Sequence, residues 1–347
     1  MTRAVEFLLS CAILIELKST YWHSMNNTFD LGFLGNLTNP KAKAAAAPTQ
    51  RLPGLQTPGV SPGSFWCEMS ADEYHNGSPG LSSSRLKHML VSPARYQLRL
   101  QRPPIETDAL RLGRLLHTMV LEPHLVNSEF VVWSEGRRQG MNWDLFRVQH
   151  LGKTHITEAQ YETALGMAAA LRQMEDFPLD AWLEGVANVA PAIKERSLFW
   201  IDEETGLLCK ARPDALTLGM SALIGDLKST RCAAEHAFIQ DVFNFRYDLQ
   251  AAHYRAGVKA VFGVDANFAL FSVEKEEPHV TRSFIMTPEV LADGERYRRF
   301  CLTMVKKCTD ENRWPKQPPA KAPVAVAPLF MKDTALLDMA KAYGIAI

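Results

Sequence analysis

Two acidic side chains and a lysine lie close together within residues 209–230, in short apolar runs that are typical of β-strands. Asp214 begins one run, and Asp226 and Lys228 end the next. Because successive side chains of a strand point to opposite faces, Asp226 and Lys228 share one face and Leu227 points into the core. A tight turn would bring Asp214 beside Asp226, and such a pair can hold a hard cation such as Mg²⁺. The pattern predicts phosphate-ester chemistry, in which Lys228 orients or helps to deprotonate a water.

An acid-x-lysine triplet is a weak signal when it is taken alone. A solvated ion pair at a strand end explains Asp226 and Lys228 equally well. Glu16-Leu17-Lys18 is a second copy, but nothing upstream of it can supply a partner carboxylate, and it lies before a linker. We therefore reject Glu16 and retain Asp226, because further polar residues surround the latter in sequence.

Four further polar residues lie on elements predicted around these strands. His117 lies on a helix one turn after Gly113, and Glu195 precedes an apolar strand. Gln250 and Tyr254 are four residues apart, so they share one face of the helix that follows the sheet. Taken singly, each has a structural explanation: a histidine with its hydrogen bonds satisfied, a surface acid, or a tyrosine that covers a helix surface. Their significance depends on the order in which they occur with the two aspartates and the lysine.

The hydrophobic periodicity alternates between helical and strand-like patterns along the chain. Helical patterns come first, short strand-like runs follow, and helical patterns return, so the sequence predicts an α/β sandwich around a mixed sheet. One helix is predicted to start at residues 81–85. Four further helices are predicted over residues 107–121, 157–175, 247–262 and 288–312. The predicted strands cover residues 197–201, 207–212, 215–218, 222–228, 267–273 and 280–285. The helix over 107–121 is predicted to bury Leu110, Leu112, Leu115, Leu116, Met119 and Val120.

The length of the chain accommodates one large folded domain with tails. It has 347 residues, 47% of them hydrophobic, and its 38 Lys and Arg balance 38 Asp and Glu. These values exclude a fully disordered chain and a uniformly basic nucleic-acid coat protein. Residues 1–64 contain a Pro-, Ala- and Gly-rich linker and are predicted to be a disordered leader. Residues 65–316 are the predicted domain, and residues 317–347 are a Pro-rich tail with a short C-terminal helix.

The sequence predicts a cytoplasmic protein with no membrane association. The apolar stretch over residues 4–17 is interrupted by Glu6, is too short to span a bilayer, and is not followed by a convincing cleavage site. None of the six cysteines lie at C-x-x-C spacing. A zinc ribbon, a thioredoxin-like site and a cysteine-ligated iron–sulfur cluster therefore have no support, and we expect reduced thiols.

Five sequence phrases follow one another in a recognisable order: LSSSRLKHMLVSPARY, LRLGRLLHTMVLEP, KARPDAL, IGDLKST and LQAAHYRAG. Together they resemble the PD-(D/E)xK nuclease superfamily, and most closely the exonuclease VIII (RecE)-like C-terminal nuclease domain of phages and prophages, which is related to the RecB nuclease domain and lambda exonuclease. The resemblance covers about residues 65–316. It implies a three-layer α/β/α restriction-endonuclease-like core with a mixed central sheet.

The resemblance also implies a role for each polar residue. The cofactor would be Mg²⁺ or Mn²⁺, with no iron–sulfur cluster, and its implied ligands are His117, Asp214, Asp226 and the carbonyl of Leu227. The implied catalytic residues are Asp214, Asp226, Lys228, which positions the attacking water, and Glu195, an additional acid. Gln250 and Tyr254 would hold the scissile strand. Basic segments that include Arg85 and Arg114 would line a groove for the DNA backbone, with ordinary solvated helix faces as the alternative.

The function implied by the resemblance is metal-dependent exonuclease activity on the ends of double-stranded DNA. The enzyme would degrade the 5′-ended strand and pass the 3′ overhang to a single-strand annealing recombinase in phage-type recombination. Strand polarity, processivity and assembly into a homo-oligomeric ring are expectations taken from the family. Two alternatives remain open: a structure-specific or single-strand endonuclease on the same fold, and a catalytically silent module that binds DNA.

Overall fold

The structure is a computed structural model, and it describes residue 61 and residues 63–102, 106–186, 190–218, 222–316, 340–341 and 343–345. Most of the predicted leader, with its apolar stretch over residues 4–17, and most of the predicted C-terminal tail lie outside the described residues. Within the described part of the chain, no helix combines the length and the apolar character needed to cross a bilayer.

The described strands form a mixed central sheet and two smaller sheets. They are β1 (Phe65–Cys67), β2 (Phe130–Trp133), β3 (Thr154–Thr157), β4 (Ile193–Lys194), β5 (Ser197–Ile201), β6 (Leu208–Ala211), β7 (Ala215–Thr217), β8 (Leu223–Thr230), β9 (Asn267–Glu274) and β10 (Thr281–Ile285). The central sheet has the order β10-β9-β8-β7-β4, and β1-β5-β6 and β2-β3 form the other two sheets. In the central sheet β8 and β9 are parallel and the other pairs are antiparallel.

Helices cover both faces of the central sheet. The α-helices are α1 (Ser83–Leu86), α2 (Pro93–Gln101), α3 (Asp108–Leu121), α4 (Val126–Glu129), α5 (Met141–Gln149), α6 (Glu158–Arg172), α7 (Leu179–Glu184), α8 (Glu235–Asn244), α9 (Tyr247–Phe262) and α10 (Pro288–Asp310). On one face, α3 and α6 pack against Leu227 and Phe271. On the other, α8 and α9 pack against Ile224 and Phe268, and α10 packs on α9. The predicted three-layer α/β/α core with a mixed sheet is confirmed.

A single β-hairpin is shared between the central sheet and the three-stranded sheet. Lys194 of β4 pairs with Ala215 of β7, and Leu198 of β5 pairs with Ala211 of β6. Residues 195–197 lie between these two pairs on one strand, and residues 212–214 lie between them on the other. Because both intervals contain three residues, the pairing register is the same in both sheets and there is no bulge between them.

Two residues with unusual backbones lie where this hairpin passes between the sheets. Pro213 has no N–H to donate to a ladder, and Glu195 has a left-handed φ of 50°. One backbone hydrogen bond remains across the interruption, from the N–H of Glu195 to the carbonyl of Asp214 at 3.0 Å. The hairpin therefore changes direction at the position of these acidic residues, and we call this position the hairpin bend.

The sequence predicted most of the elements that surround the hairpin bend. Strand β5 and helix α9 have the predicted bounds, and α3 begins one residue later because Thr107 is its cap, accepting a hydrogen bond from the N–H of Leu110. The predicted burial of Leu110 is wrong, since this residue is 56% exposed. The buried residues of α3 begin at Leu115, so the first turns of the helix project beyond the core.

The segment from β2 to β3 was not predicted. It contains two short parallel strands joined through α5, and Thr157 at its end forms a capping box with Gln160 at the start of α6. Trp133 and Trp143 pack edge to face in this segment, with ring centroids 5.3 Å apart. The described residues near the C-terminus pack on α10: Ala340 is buried there, and the Nζ of Lys307 donates a hydrogen bond to the carbonyl of Tyr343 at 2.5 Å.

Adding a methyl group at Gly294 should destabilise the protein, because α9 and α10 approach closely there. A Cβ on Gly294 would lie 2.1 Å from the carbonyl oxygen of Asp248, a backbone atom that cannot rotate away. We expect Gly294→Ala to lower the free energy of unfolding by about 1–3 kcal/mol or more. Gly113→Ala is the control, since nothing lies within 4 Å of its added Cβ, and alanine should stabilise α3 by up to ~1 kcal/mol. Urea denaturation of both variants measures the difference, and wild-type stability of Gly294→Ala would contradict the packing of α9 on α10.

Candidate active site

The pairing of β7 with β8 brings two buried carboxylates together at the hairpin bend. Asp214 directly precedes β7, and Ala215 pairs with Gly225, so Asp214 and Asp226 lie on neighbouring strands at the same level. The backbone N–H of Leu227 donates a hydrogen bond to Oδ2 of Asp214 at 2.7 Å. This hydrogen bond holds the Asp214 carboxylate against β8.

The imidazole of His117 reaches the same carboxylate from α3. Its Nδ1 lies 3.3 Å from Oδ2 of Asp214, and its Nε2 lies 3.1 Å from the carbonyl oxygen of Leu227. Burial disfavours the charged imidazolium, but the adjacent Asp214 carboxylate outweighs burial and raises the pKa of His117 to about 9. Without a metal, both ring nitrogens of His117 therefore donate hydrogen bonds at neutral pH. In turn, His117 keeps the pKa of Asp214 below its ordinary value even though burial opposes this.

Glu195 is the third carboxylate of this group. Its left-handed backbone turns the chain at the hairpin bend, and its side chain forms a salt bridge with Arg212. Arg212 also donates a hydrogen bond to the carbonyl of Met69 at 2.7 Å. Burial and the neighbouring Asp214 together raise the pKa of Glu195 to about 7, and Arg212 only partly offsets them. The carboxylates of Asp214, Asp226 and Glu195 thus lie close together at the hairpin bend.

Asp226 contacts a lysine and an amide. Its side chain, 1% exposed, pairs with Lys228, and its Oδ1 accepts a hydrogen bond from Nε2 of Gln250 at 2.7 Å. Burial raises the pKa of Asp226, and Asp214 adds to this shift while Lys228 opposes it. The Nζ of Lys228 lies over the ring of Tyr247, 4.8 Å from its centroid. Burial alone would lower the pKa of Lys228, but Asp226 and Asp214 raise it, so the side chain remains an ammonium ion that donates hydrogen bonds and cannot accept a proton.

The ligand atoms available at the hairpin bend suit a hard divalent cation. One ligand atom each from His117, Glu195 and Asp214 lie within 4.8 Å of one another. We call these three side chains the metal-binding cluster. Carboxylate and carbonyl oxygens with a single imidazole are ligands that Mg²⁺ and Mn²⁺ accept. Asp226 differs from the cluster, because Lys228 and Gln250 occupy its oxygens, and it would have to exchange one of these contacts to bind the same ion.

The residues predicted to bind DNA fall into two groups. Gln250 and Tyr254 lie inside the domain, where Gln250 contacts Asp226 and the ring of Tyr254 packs 6.3 Å from that of Phe268. Burial raises the pKa of Tyr254 well above its ordinary value. Arg85 donates hydrogen bonds to the backbone carbonyls of residues 75 and 80. Arg114 forms an ion pair with Glu106 at 3.1 Å and contacts the hydroxyl of Thr154. The predicted roles of these four residues in binding DNA stay predictions.

Sequence reasoning missed three residues that contact this site. Arg212 lies two residues before Asp214, and Tyr247 lies three before Gln250 on the same helix, so spacing could have indicated both. The third is Lys87, whose Nζ lies 5.4 Å from the centroid of the Tyr247 ring. Burial and the nearby Lys228 lower the pKa of Lys87 to about 7. The sequence indicated Lys87 only as one member of a basic segment for the DNA backbone, and its position far upstream did not indicate a contact with Tyr247.

The layers and the acid-x-lysine strand define a fold of the PDDEXK class. The family described as "PDDEXK-like domain of unknown function (DUF3799)" matches residues 82–320, which is more than half of the chain, and the protein belongs to this family. The fold and the family support a nuclease. No curated protein matches the sequence.

Several solved structures are similar to this chain. The crystal structure of a protein named "Putative exonuclease" from Eubacterium rectale aligns over 77% of this chain and 98% of its own, with a TM-score of 0.52 and 14% sequence identity. This similarity shows the fold alone. A structure called SSO0001 aligns over 56% of this chain and 86% of its own at 14% identity, and its TM-score of 0.24 is too low to carry an argument.

Binding of Mn²⁺ should release protons and should tighten from about pH 6 to about pH 9. Without metal, His117 is protonated up to about pH 9 and Glu195 up to about pH 7, and each must lose a proton before it can act as a ligand. Titration calorimetry at neutral pH, in two buffers with different ionisation enthalpies, measures the protons released. His117→Gln should release fewer protons than the wild type. An affinity independent of pH, with no proton release, would contradict the metal-binding cluster.

Proposed function

We propose that the protein is a divalent-metal-dependent exodeoxyribonuclease that hydrolyses phosphodiester bonds at the ends of double-stranded DNA. The observation that carries this proposal is the convergence of Asp214, Asp226 and Lys228 on two paired strands at the hairpin bend. A module that only binds DNA gains nothing from buried acids, because carboxylates repel phosphate. Two buried carboxylates and the half-buried Glu195, beside one ammonium ion, are in contrast suited to hold a cation and stabilise charge.

The side chains at the hairpin bend divide this chemistry among them. His117, Asp214 and Glu195, with the carbonyl of Leu227, would hold a Mg²⁺ or Mn²⁺ ion, which supplies positive charge to the phosphate when it is bound. Lys228 is a charged donor, so it orients a water by hydrogen bonding and offsets negative charge that develops on the phosphate.

Two contacts keep Lys228 available for this role. Tyr247 holds the ammonium over its ring at 4.8 Å, and Gln250 holds the Asp226 carboxylate that pairs with it. Gln250 is in this proposal a positioning residue, since it contacts Asp226 rather than the surface of the domain.

The choice of exonuclease over endonuclease rests on two similarities. The Eubacterium rectale protein with this fold carries the name "Putative exonuclease", and the five sequence phrases resemble RecE-like exonucleases. In this proposal the protein degrades the 5′-ended strand at a duplex end, assembles into a homo-oligomer, and passes the 3′ overhang to a single-strand annealing recombinase. A structure-specific or single-strand endonuclease is the alternative for the same site.

Replacing either aspartate should abolish cleavage without unfolding the protein. We choose Asp214→Asn and Asp226→Asn, because an amide oxygen can still accept the hydrogen bond from Leu227 or Gln250. The negative charge is lost, which would hold the cation at Asp214 and which pairs with Lys228 at Asp226. The assay uses end-labelled linear duplex with Mg²⁺, the same DNA with EDTA, and a covalently closed circle. The wild type should degrade only the linear DNA and only with Mg²⁺.

A control variant tests whether losing any carboxylate lowers the cleavage rate, and the closed circle distinguishes an exonuclease from an endonuclease. Asp265→Asn, which removes an exposed carboxylate paired with Lys259, should cleave at the wild-type rate. Cleavage of the closed circle would support the endonuclease alternative. Cleavage in EDTA would show that the reaction does not need a metal for these carboxylates to hold. Cleavage by either active-site variant would show that its carboxylate is not required.

Lys228→Ala should lower the single-turnover cleavage rate by roughly 10²–10³-fold, the effect of losing one electrostatic stabiliser of a transition state. Mn²⁺ affinity should change little, because an ammonium ion is not a ligand. Lys228→Arg should restore little activity, since a planar guanidinium does not replace a compact ammonium over the Tyr247 ring. The control is Lys259→Ala, which removes an exposed lysine. A near wild-type rate for Lys228→Ala would show that the lysine only neutralises Asp226.

A further inference from the structure

A polar cavity lies outside the candidate active site. It has a volume of about 260 Å³, and its walls include Glu106, Arg111, Arg138, Trp143, Lys153 and His155. These residues come from the start of α3 and from the segment between β2 and β3. We call this cavity the arginine pocket.

Cations outnumber acids in the arginine pocket. Arg111 is paired with Asp108 at 2.5 Å and with Glu106 at 3.3 Å. Arg138 reaches Asp108 only at 4.0 Å. Lys153 donates a hydrogen bond from its Nζ to the backbone carbonyl of Asn127 at 2.8 Å, and among the described residues it has no acidic partner within salt-bridge distance. With Arg114 at the rim paired to Glu106, four cations share two carboxylates, and the local excess is two positive charges.

Two buried nitrogen atoms in the arginine pocket have no hydrogen-bond partner among the described residues: Nε of Arg138 and Nε2 of His155. The Nε–H of Arg138 is always a donor, and an unpaired buried donor is costly, so a group that supplied an acceptor here would be favoured. The Arg138 guanidinium is held in place by two acceptors, the carbonyl of His155 at 3.1 Å and Oε1 of Gln160 at 3.2 Å, and it lies 5.8 Å from the centroid of the Trp143 ring. A fixed guanidinium with a free N–H suits an anion with several acceptor oxygens.

The arginine pocket is connected to the candidate active site through α3. Arg114 contacts Thr154 beside the pocket and lies one helical turn before His117. Between Arg111 and His117 the helix rises about 9 Å at 1.5 Å per residue.

We propose that the arginine pocket binds a backbone phosphate of the DNA strand near the bond that is cleaved. The inference rests on the proposed function for the position of the strand, but the binding chemistry is that of phosphate alone. Arg111, Arg138 and Lys153 supply the charge, and the free Nε–H of Arg138 donates to a phosphate oxygen. The same chemistry would accept inorganic phosphate, so the test distinguishes the two sources.

The test compares Lys153→Gln with two matched variants in EDTA, where no cleavage occurs. Lys153→Arg keeps the charge in the arginine pocket, and Lys306→Gln removes an exposed lysine from α10. Fluorescence anisotropy with a labelled single-stranded oligonucleotide, from about 50 to 200 mM salt, gives the slope of log K against log salt. Losing one phosphate contact should reduce the magnitude of this slope by about 0.7 for Lys153→Gln and leave it unchanged for the other two variants.

Calorimetric titration of inorganic phosphate into the same proteins is the second arm. Weaker phosphate binding by Lys153→Gln, with an unchanged oligonucleotide slope, would support the pocket and assign it to free phosphate instead of DNA. An unchanged slope together with unchanged phosphate binding would overturn the proposal. Both readouts are independent of nuclease activity. A changed slope in a protein that never cleaves DNA would contradict the proposed function alone, and normal cleavage with both the slope and the phosphate binding unchanged would contradict the pocket alone.

Discussion

The continuous register of one hairpin across two sheets is the constraint on which the candidate site depends. Because no residue is inserted on either strand, Glu195 and Asp214 stay opposite each other at the bend and keep one backbone hydrogen bond at 3.0 Å. Pro213 removes a donor, and the left-handed Glu195 redirects its strand. The bend therefore gathers acidic side chains from two strands next to β8, which supplies Asp226.

Each carboxylate at the bend has its own cationic partner, and this explains how three acids are tolerated at a buried place. Asp214 contacts His117, Glu195 contacts Arg212, and Asp226 contacts Lys228. The compensation is incomplete, since the pKa of Glu195 and of Asp226 is still raised by burial and by Asp214. A divalent cation would remove this remaining cost. The partner of Asp214 is also the one most easily displaced, because His117 becomes a neutral ligand when it loses a proton.

The sequence predicted the layers and most elements because they follow simple periodicities. Helix α9 and strand β5 have strong patterns and clear ends, and their bounds were predicted correctly. The burial of Leu110 was predicted wrongly, since periodicity identifies a face of a helix and does not show where the helix leaves the core. The β2–β3 segment was missed because its strands have four residues each and α5 buries none of its side chains. For the site, spacing indicated which residues are polar neighbours in a strand or helix. It could not show that Gln250 contacts Asp226, because that contact depends on how α9 packs on the sheet.

The central claim is that the hairpin bend is a metal centre, and the most direct test is to locate the metal. Crystals grown with Mn²⁺ and measured at its absorption edge give anomalous density that identifies the ion independently of any activity assay. We predict a peak within coordination distance of Asp214 and His117, with the Leu227 carbonyl or Glu195 as a further ligand and the hydrogen bond between His117 and Asp214 replaced by metal contacts. Manganese bound only elsewhere on the protein, with the hairpin bend unchanged, would contradict the account.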